Sequence, residues 1–213
     1  MSQPIVHGPA YSTYTRTVRL ALEEKGAGYK LDEVDILKGD GSSPAHLARQ
    51  PFGKVPAFSH DGMTMYETSA ITHYVDDVVP GPKLQPGDAK SRARMNQIMG
   101  VVDSYAYPSM ISVVFQRVVN PLLGAAVDEK AVAEAKPKAE KSLEALEALA
   151  DGSGPFLCGK DLSLADLYVA PLMEYFSATP EGKAALSKSP RVKRWLEQIS
   201  NRPSVVKTRP KLG

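Results

Sequence analysis

The sequence predicts two domains in series: an α/β domain with the element order β-α-β, a loop or short helix, then β-β-α, followed by an all-helical domain. Three observations predict this fold. Short apolar runs alternate with helical periods up to residue 79. Residues 80–87 contain three prolines and two glycines, which support neither helix nor strand. Beyond them, apolar residues recur at helical spacing almost throughout. We therefore place the domains at residues 1–79 and 90–213, with a linker at 80–89.

The first domain begins with a βαβ unit. The run Ile-Val-His at residues 5–7 suits a short strand, and a turn-rich stretch follows it. Next comes a helix that ends near Gly26, and a second strand-like run covers residues 29–36. A loop rich in glycine, serine and proline then covers residues 39–44. The apolar face of the helix consists of Val18, Ala21 and Leu22.

A β-hairpin and a second helix complete the α/β domain. Two short apolar runs flank Asp61-Gly62, which is a strong hairpin signal because both central residues of such a turn need positive φ. Apolar residues then follow the i, i+3, i+4, i+7 spacing of an amphipathic helix at Ile71, Tyr74, Val75 and Val78. This helix is the last element before the linker.

The helical domain shows two apolar stripes and one N-terminal capping signal. In the capping signal, Ser163 can cap the first amides of a helix, while Asp166 reaches back to the cap residue. Leu162 and Leu167 occupy the positions of a hydrophobic staple. Because a lost cap costs about 1 kcal/mol, we expect Ser163 and Asp166 to serve stability rather than chemistry. The stripes are Ala139, Leu143, Leu146 and Ala150, and Val192, Trp195, Leu196 and Ile199.

Composition and charge argue against several classes of protein. The net charge is only +2 and the basic residues are scattered, so we expect no nucleic-acid partner. No apolar run approaches the roughly 20 residues of a membrane span, and no secretory signal is recognisable, so we expect a cytoplasmic protein without a membrane partner. The single cysteine, Cys158, can form neither an internal disulfide nor a zinc cluster. We expect no metal, since ligand spacing is absent among His7, His46, His60 and His73.

Two places in the α/β domain suit a ligand. Ligands of such domains gather at the carboxyl ends of strands and at helix N-termini, where free amides favour anions. Residues 11–14, Tyr-Ser-Thr-Tyr, lie between the first strand and the first helix and offer four hydroxyls but no redox cysteine. The second place combines Lys-Val-Pro at 54–56 with the start of a helix. There Thr68 and Ser69 can cradle a carboxylate, and Glu67 can bind an ammonium. A zwitterionic ligand fits this pair of groups.

Four stretches of the sequence form one pattern: Ser12 with Arg16 and Val18 behind it, residues 49–58 (RQPFGKVPAF), residues 67–71 (ETSAI) and residues 156–167 (FLCGKDLSLADL). Through these stretches the chain resembles, over nearly its full length, a glutathione transferase, most of all the phi class. The ending, PRVKRW at 190–195 with NRP at 201–203, matches that family as well. The resemblance implies a thioredoxin-like first domain that holds glutathione and a helical second domain that holds a small hydrophobic electrophile. It also implies a homodimer.

The resemblance implies that Ser12 is the catalytic residue. Its hydroxyl would donate a hydrogen bond to the glutathione sulfur and so stabilise the thiolate, which is the nucleophile. The thiolate would then attack an electrophilic carbon or a peroxide. Members of the phi class often add a His-Lys pair that binds the glycine carboxylate, whereas residues 40–43 of this chain read DGSS. This departure predicts weaker binding of glutathione.

The resemblance also assigns the residues that bind glutathione. Val55 would pair its backbone with the cysteinyl unit, ahead of a cis Pro56. Glu67 and Thr68 would hold the γ-glutamyl end. Lys54 would lie near the glycine carboxylate.

The aromatic and apolar residues near the site have more than one interpretation. Tyr11 and Tyr14 each suit a core aromatic, a wall of the second-substrate site, or a rival donor to the thiolate, since a phenol can do what is assigned to Ser12. We rank Tyr11 as a wall and leave Tyr14 open. A second set on a helix after the linker suits an apolar second-substrate pocket, although such a stripe is also typical of a core. This set is Met110, Val114 and Phe115.

Two other functions share this architecture. A non-catalytic binding module or ligand carrier is one, and the retention of Ser12, Glu67 and Thr68 argues against it. A glutathione-dependent thiol or dehydroascorbate reductase is the other, and it would need a cysteine where Ser12 stands. The sequence therefore predicts a transferase with glutathione as co-substrate.

Overall fold

The structure, a computed structural model, describes residues 2–210. By their internal contacts these residues form two compact units: residues 2–85 together with 202–210, and residues 86–201. Residues 202–210, which the sequence pattern placed in the helical domain, thus group with the α/β unit. Polar contacts to the first helix, described below, account for this difference. The limits at 79 and 90 stay predictions.

A four-stranded mixed sheet with the strand order β2-β1-β3-β4 forms the base of the first unit. Strands β1 and β2 run parallel, as a βαβ unit requires, while β3 is antiparallel to both β1 and β4. The second strand is shorter than predicted and ends at Asp32. Asp35 then begins a turn, in which its carboxylate accepts a hydrogen bond from the amide of Leu37 (3.1 Å). The strands are β1 (Ile5–His7), β2 (Lys30–Asp32), β3 (Ala57–His60) and β4 (Met63–Tyr66).

The predicted hairpin and both predicted helices of this unit are confirmed. Asp61 and Gly62 connect β3 to β4 with φ values of 47° and 78°, the positive angles that this turn requires. The predicted apolar residues Val18, Ala21, Leu22, Ile71 and Val75 are fully buried. The helices are α1 (Thr13–Glu24), α2 (Pro44–Leu47) and α3 (Thr68–Val78), and a 3₁₀ turn at Asp40–Ser42 precedes α2.

A buried ion pair joins the ends of α1 and α3. Lys25, the C-cap residue of α1, donates from Nζ to Asp76 Oδ1 and to the carbonyl of Pro82, both at 2.9 Å. The Asp76 carboxylate also accepts from the amides of Leu84 (2.8 Å) and Gln85 (3.1 Å). The two charged side chains are 1% and 0% exposed. Because both charges are paired and hydrogen-bonded, they fix the chain that follows α3.

The second unit is helical. Its first helix runs without a break over Ala89–Leu122 and contains two π-helical turns, Val102–Ala106 and Phe115–Val119. By length and composition this helix could cross a membrane, which we did not expect from the sequence. Core helices can have the same length and composition, and 44% of the most apolar 18-residue stretch of this helix is buried inside the protein. Its segments are α4 (Ala89–Val101), α5 (Tyr107–Val114) and α6 (Asn120–Leu122). They are followed by α7 (Glu129–Leu149), α8 (Leu164–Phe176), α9 (Pro180–Leu186) and α10 (Pro190–Ile199); α11 (Pro203–Thr208) belongs to the first unit.

Asp166, the acidic half of the predicted capping box, is fully buried at the start of α8. Its Oδ2 accepts hydrogen bonds from the amide (2.9 Å) and the hydroxyl (3.0 Å) of Ser163. Its Oδ1 accepts from the amide of Leu157 and from Trp195 Nε1, both at 2.8 Å. The predicted bond from Asp166 to the cap residue is therefore confirmed, and the same carboxylate also ties α8 to α10.

Candidate active site

Three segments of the first unit meet at one end of the sheet. In the strand register, His7 pairs with Ala57, and Ala57 pairs with Tyr66. The residue after His7, the residue before Ala57 and the residue after Tyr66 therefore lie side by side, since paired strands share a sheet edge. These residues are Gly8, Pro56 and Glu67. The structure thus brings together the two places that the sequence singled out.

Ser12 is the N-cap residue of α1 and is half-buried. Its Oγ accepts a hydrogen bond from the amide of Thr15 at 3.3 Å, and its own amide donates to the carbonyl of Pro9 at 3.1 Å. A hydroxyl that accepts one hydrogen bond still has its own proton to donate. The helix macrodipole also favours negative charge at this position. Ser12 is therefore suited to stabilise an anion at the start of α1.

The loop that leads to Ser12 packs tightly against Val55. Gly8 has a φ of 155°, and a Cβ added there would lie 2.3 Å from Thr15 Oγ1 and 3.2 Å from Val55 Cβ. Only glycine fits this contact without a shift of its neighbours. The Val55-Pro56 peptide bond is cis, as the resemblance implied.

Two residues that the sequence analysis did not select hold the segment before Val55. Gln50 Oε1 accepts hydrogen bonds from the amides of Phe52 (2.7 Å) and Lys54 (3.1 Å). The buried His46 donates from Nε2 to the carbonyl of Lys54 at 2.7 Å, since a carbonyl can only accept. The Lys54 side chain itself is exposed. These contacts join side chains to backbone only two to eight positions further along the chain.

Glu67, at the start of α3, has a strained backbone. Its φ is 70°, and its exposed side chain makes no hydrogen bond to the helix that it precedes. A non-glycine residue in this region costs on the order of 1–3 kcal/mol, and such strain clusters at functional sites. Thr68, the first residue of α3, is 8% exposed. The Glu67 side chain therefore does not cap the first amides of α3.

The hydroxyl of Tyr11 is hydrogen-bonded to a carboxylate. Its hydroxyl donates to Asp35 Oδ1 at 2.7 Å and accepts from the amide of Leu37 at 3.4 Å. Burial and the hydrogen bond to Asp35 both raise the pKa of Tyr11. The hydroxyl proton of Tyr11 is therefore already donated to Asp35, which favours Ser12 over Tyr11 as the donor to a thiolate. Tyr14 is half-buried in the first turn of α1.

The residues predicted for the second substrate are divided between the two units. Tyr11 and Tyr14 belong to the first unit, and the other three belong to the second. Met110 and Val114 are 0% and 2% exposed and so are core residues of this structure, whereas Phe115 is 40% exposed. Their assignment to a second-substrate site stays a prediction.

The second unit also has an open groove of about 840 Å³, which the sequence did not predict. It lies between residues 101–112 of the long helix and residues 131–145 of α7. Its lining includes Val101, Tyr105, Pro108, Ala135 and Ala145.

The mixed sheet, the cis-proline before β3 and the two helix N-termini at one edge define a thioredoxin-like unit, here in one chain with a helical unit. Residues 6–83 match the family model of the glutathione S-transferase N-terminal domain, and residues 106–203 match that of the C-terminal domain. The chain belongs to the glutathione S-transferase family, and it is most like the phi class. It is thus a transferase whose co-substrate is glutathione.

Individual relatives match over almost the whole chain. A probable glutathione S-transferase of rice (Oryza sativa subsp. japonica) is 36% identical over 207 residues, which cover 95% of this chain and 93% of the relative. The crystal structure of glutathione transferase F7 from Populus trichocarpa has a TM-score of 0.85 at 32% identity, covering 96% of this chain and 97% of the other. A structure of glutathione S-transferase I bound with lactoylglutathione has a TM-score of 0.84 at 30% identity, covering 97% and 98%.

Proposed function

We propose that the chain conjugates glutathione to small hydrophobic electrophiles and also reduces organic peroxides, with Ser12 stabilising the thiolate. The position of Ser12 carries this proposal: it caps α1 at the sheet edge where Gly8, Pro56 and Glu67 meet. Electrophiles tested with and without glutathione, including aryl halides, isothiocyanates and peroxides, would identify the second substrate. Turnover in the absence of glutathione would contradict the proposal.

The energy that Ser12 must supply is modest. A free thiol has a pKa of about 8.5, so only a few per cent is thiolate at neutral pH. Lowering the pKa by about 2 units takes about 2.7 kcal/mol. One hydrogen bond to a charged sulfur contributes about 1.5–3 kcal/mol. The N-terminus of α1 adds a favourable field, so Ser12 and its helix are together sufficient.

In this proposal, residues other than Ser12 bind the peptide portion of glutathione. Glu67 takes the ammonium of the γ-glutamyl unit, Thr68 and the first amides of α3 take its carboxylate, and the Val55 backbone pairs with the cysteinyl unit. Lys54 lies nearest the glycine carboxylate. The strained φ of Glu67 supports this assignment, because such strain clusters at functional sites and the Glu67 side chain makes no cap hydrogen bond to α3.

Replacing Glu67 by glutamine is expected to weaken glutathione binding about 10- to 100-fold, because a hydrogen bond to a charged group contributes about 1.5–3 kcal/mol. Isothermal titration calorimetry measures this change. Asp77→Asn removes an exposed carboxylate from the other end of α3 and serves as the matched control, with unchanged affinity. Glutathione that binds Glu67→Gln as tightly as the original protein would exclude Glu67 from the site. No binding by the original protein at millimolar glutathione would favour a non-catalytic module.

We also propose a homodimer. Phe52 is 69% exposed and lies edge-on to Tyr66, itself 37% exposed, with ring centroids 6.0 Å apart. An exposed aromatic pair is a surface that a second copy of the chain can cover, and the open groove of the second unit is another. We propose the cytoplasm as the location of the homodimer, because the free cysteine Cys158 fits a reducing compartment in which disulfides are rare.

Phe52→Ser is expected to shift the protein from dimer to monomer at micromolar concentration, because a buried aromatic anchor contributes about 2 kcal/mol or more at an interface. Light scattering gives the mass directly. Leu37→Ser, which changes a 48% exposed apolar residue outside this pair, is the control and should stay dimeric. A monomeric original protein would remove the dimer from the proposal and leave the chemistry untouched.

A further inference from the structure

Helix α11 at the end of the chain is held along α1 by polar contacts within the first unit. Arg202 donates to the Glu24 carboxylate from Nε (2.5 Å) and Nη2 (2.6 Å), and Ser204 donates to the same carboxylate. Lys207 forms an exposed ion pair with Glu23 at 2.7 Å. The matching C-terminal family model ends at residue 203, so most of α11 lies beyond it.

Arg16 makes the innermost of these contacts. Its side chain is 1% exposed, and its Nη2 donates to the carbonyl of Val205 at 2.9 Å while its Nε donates to Thr208 Oγ1 at 3.2 Å. Val205 and Thr208 are fully buried. The fork of one guanidinium thus holds two neighbouring points of α11, which a compact ammonium cannot reproduce.

The same residue is tied to the start of α1. The amide of Arg16 donates to the carbonyl of Ser12 at 2.9 Å and so closes the first turn of the helix. Hydrogen bonds weaken steeply when donor and acceptor are misaligned, and a displacement of 1 Å in a reacting group costs on the order of 100-fold in rate. The direction of the Ser12 hydroxyl therefore depends on how this turn is held.

We propose that Arg16, anchored on α11, is a positioning residue that holds Ser12 in the geometry that stabilises the thiolate. The proposal rests on the assignment of Ser12 as the donor to the sulfur. In this proposal α11 helps to activate glutathione, although it is the last element described along the chain.

The test uses Arg16→Lys, which keeps the charge, and Thr208→Val, which removes one acceptor of the fork at nearly constant volume. We expect Arg16→Lys to raise the pKa of enzyme-bound glutathione by about 1 unit, with turnover about tenfold lower near neutral pH and recovering at higher pH. Thr208→Val should change turnover in the same direction by about two- to threefold, since the hydrogen bond from Arg16 to the Val205 carbonyl remains. Affinity for glutathione should stay within about twofold in both variants. Ultraviolet titration of the bound thiolate and calorimetry give these quantities.

Lys207→Met is the matched control, because it breaks only the exposed ion pair between the same two helices and should leave the thiol pKa unchanged. Each substitution is repeated in a Ser12→Ala background. If Arg16 acts through Ser12, the pKa shift that it causes should vanish there; an additive shift would overturn the proposal.

Lower stability with an unchanged thiol pKa in both variants would also overturn the proposal and leave Arg16 a purely structural role. If Arg16→Lys does not fold, Thr208→Val decides the question alone. A thiol pKa that does not change in Ser12→Ala itself would overturn the proposed function, and with it this inference. A shift in Ser12→Ala but not in the Arg16 and Thr208 variants would overturn only this inference.

Discussion

Ser12→Ala is expected to lower turnover about 10- to 100-fold near neutral pH, because the bound thiol should lose its hydrogen-bond donor and its pKa should rise by about 1–2 units. Each unit of pKa corresponds to about 1.36 kcal/mol. Glutathione should still bind, since Ser12 is not assigned to either charged end of the peptide. The loss should shrink at higher pH, where the thiol ionises without assistance. A pH profile of turnover together with calorimetry separates the two effects.

Tyr11→Phe and Tyr14→Phe are the controls for this experiment. The Tyr11 hydroxyl already donates to Asp35 at 2.7 Å, so its removal should leave the thiol pKa unchanged. Turnover of Ser12→Ala within about twofold of the original, together with collapse of one phenylalanine variant, would make that tyrosine the donor. The assignment of Ser12 as the donor would then be wrong, although the family would not change.

Asp166→Ala is expected to lower the free energy of unfolding by about 3–5 kcal/mol, well above the ~1 kcal/mol of an ordinary helix cap. The substitution leaves the Ser163 amide, the Leu157 amide and Trp195 Nε1 without the acceptor that each has now. A buried donor without a partner costs about 1–3 kcal/mol. Trp195 is the single tryptophan of the chain, so its fluorescence reports the unfolding of this region in denaturant.

Two comparisons define the Asp166 experiment. Ser163→Ala removes one hydroxyl contact but keeps the carboxylate, so it should cost only about 1 kcal/mol. Asp161→Ala removes an acidic residue of the same segment whose side chain is 84% exposed, and it should change stability by less than about 0.5 kcal/mol. A loss below 1 kcal/mol for Asp166→Ala would show that the carboxylate acts only as a local cap.

Local sequence determined the elements of the fold, because each depends on residues a few positions apart. Asp61-Gly62 forms the hairpin turn since both residues adopt the positive φ that the turn needs. The spacing of Ile71 and Val75 places both on the buried face of α3. The second strand was predicted too long: the strand-like run covers residues 29–36, but the strand ends at Asp32 and a turn begins at Asp35.

The sequence did not reveal which of the two units residues 202–210 belong to. Residues 202–210 read as one more part of the helical domain, yet they group with the first unit. The contact that explains this, from Arg16 to Thr208, spans 192 positions of sequence. A buried arginine leaves no periodic signal, and its contacts with the Val205 carbonyl and the Thr208 hydroxyl involve groups that a charge pattern does not reveal.

The sequence by itself thus determined the order of the elements, the hairpin, the capping box and the two segments that converge at the sheet edge. The tertiary structure alone decided that Tyr11 donates to Asp35, 24 positions away, and that Asp166 accepts from Trp195, 29 positions away. It also decided the strained φ of Glu67. Turns, caps and helical faces follow from neighbours along the chain, whereas the state of a buried polar group depends on which distant donors and acceptors the fold places beside it.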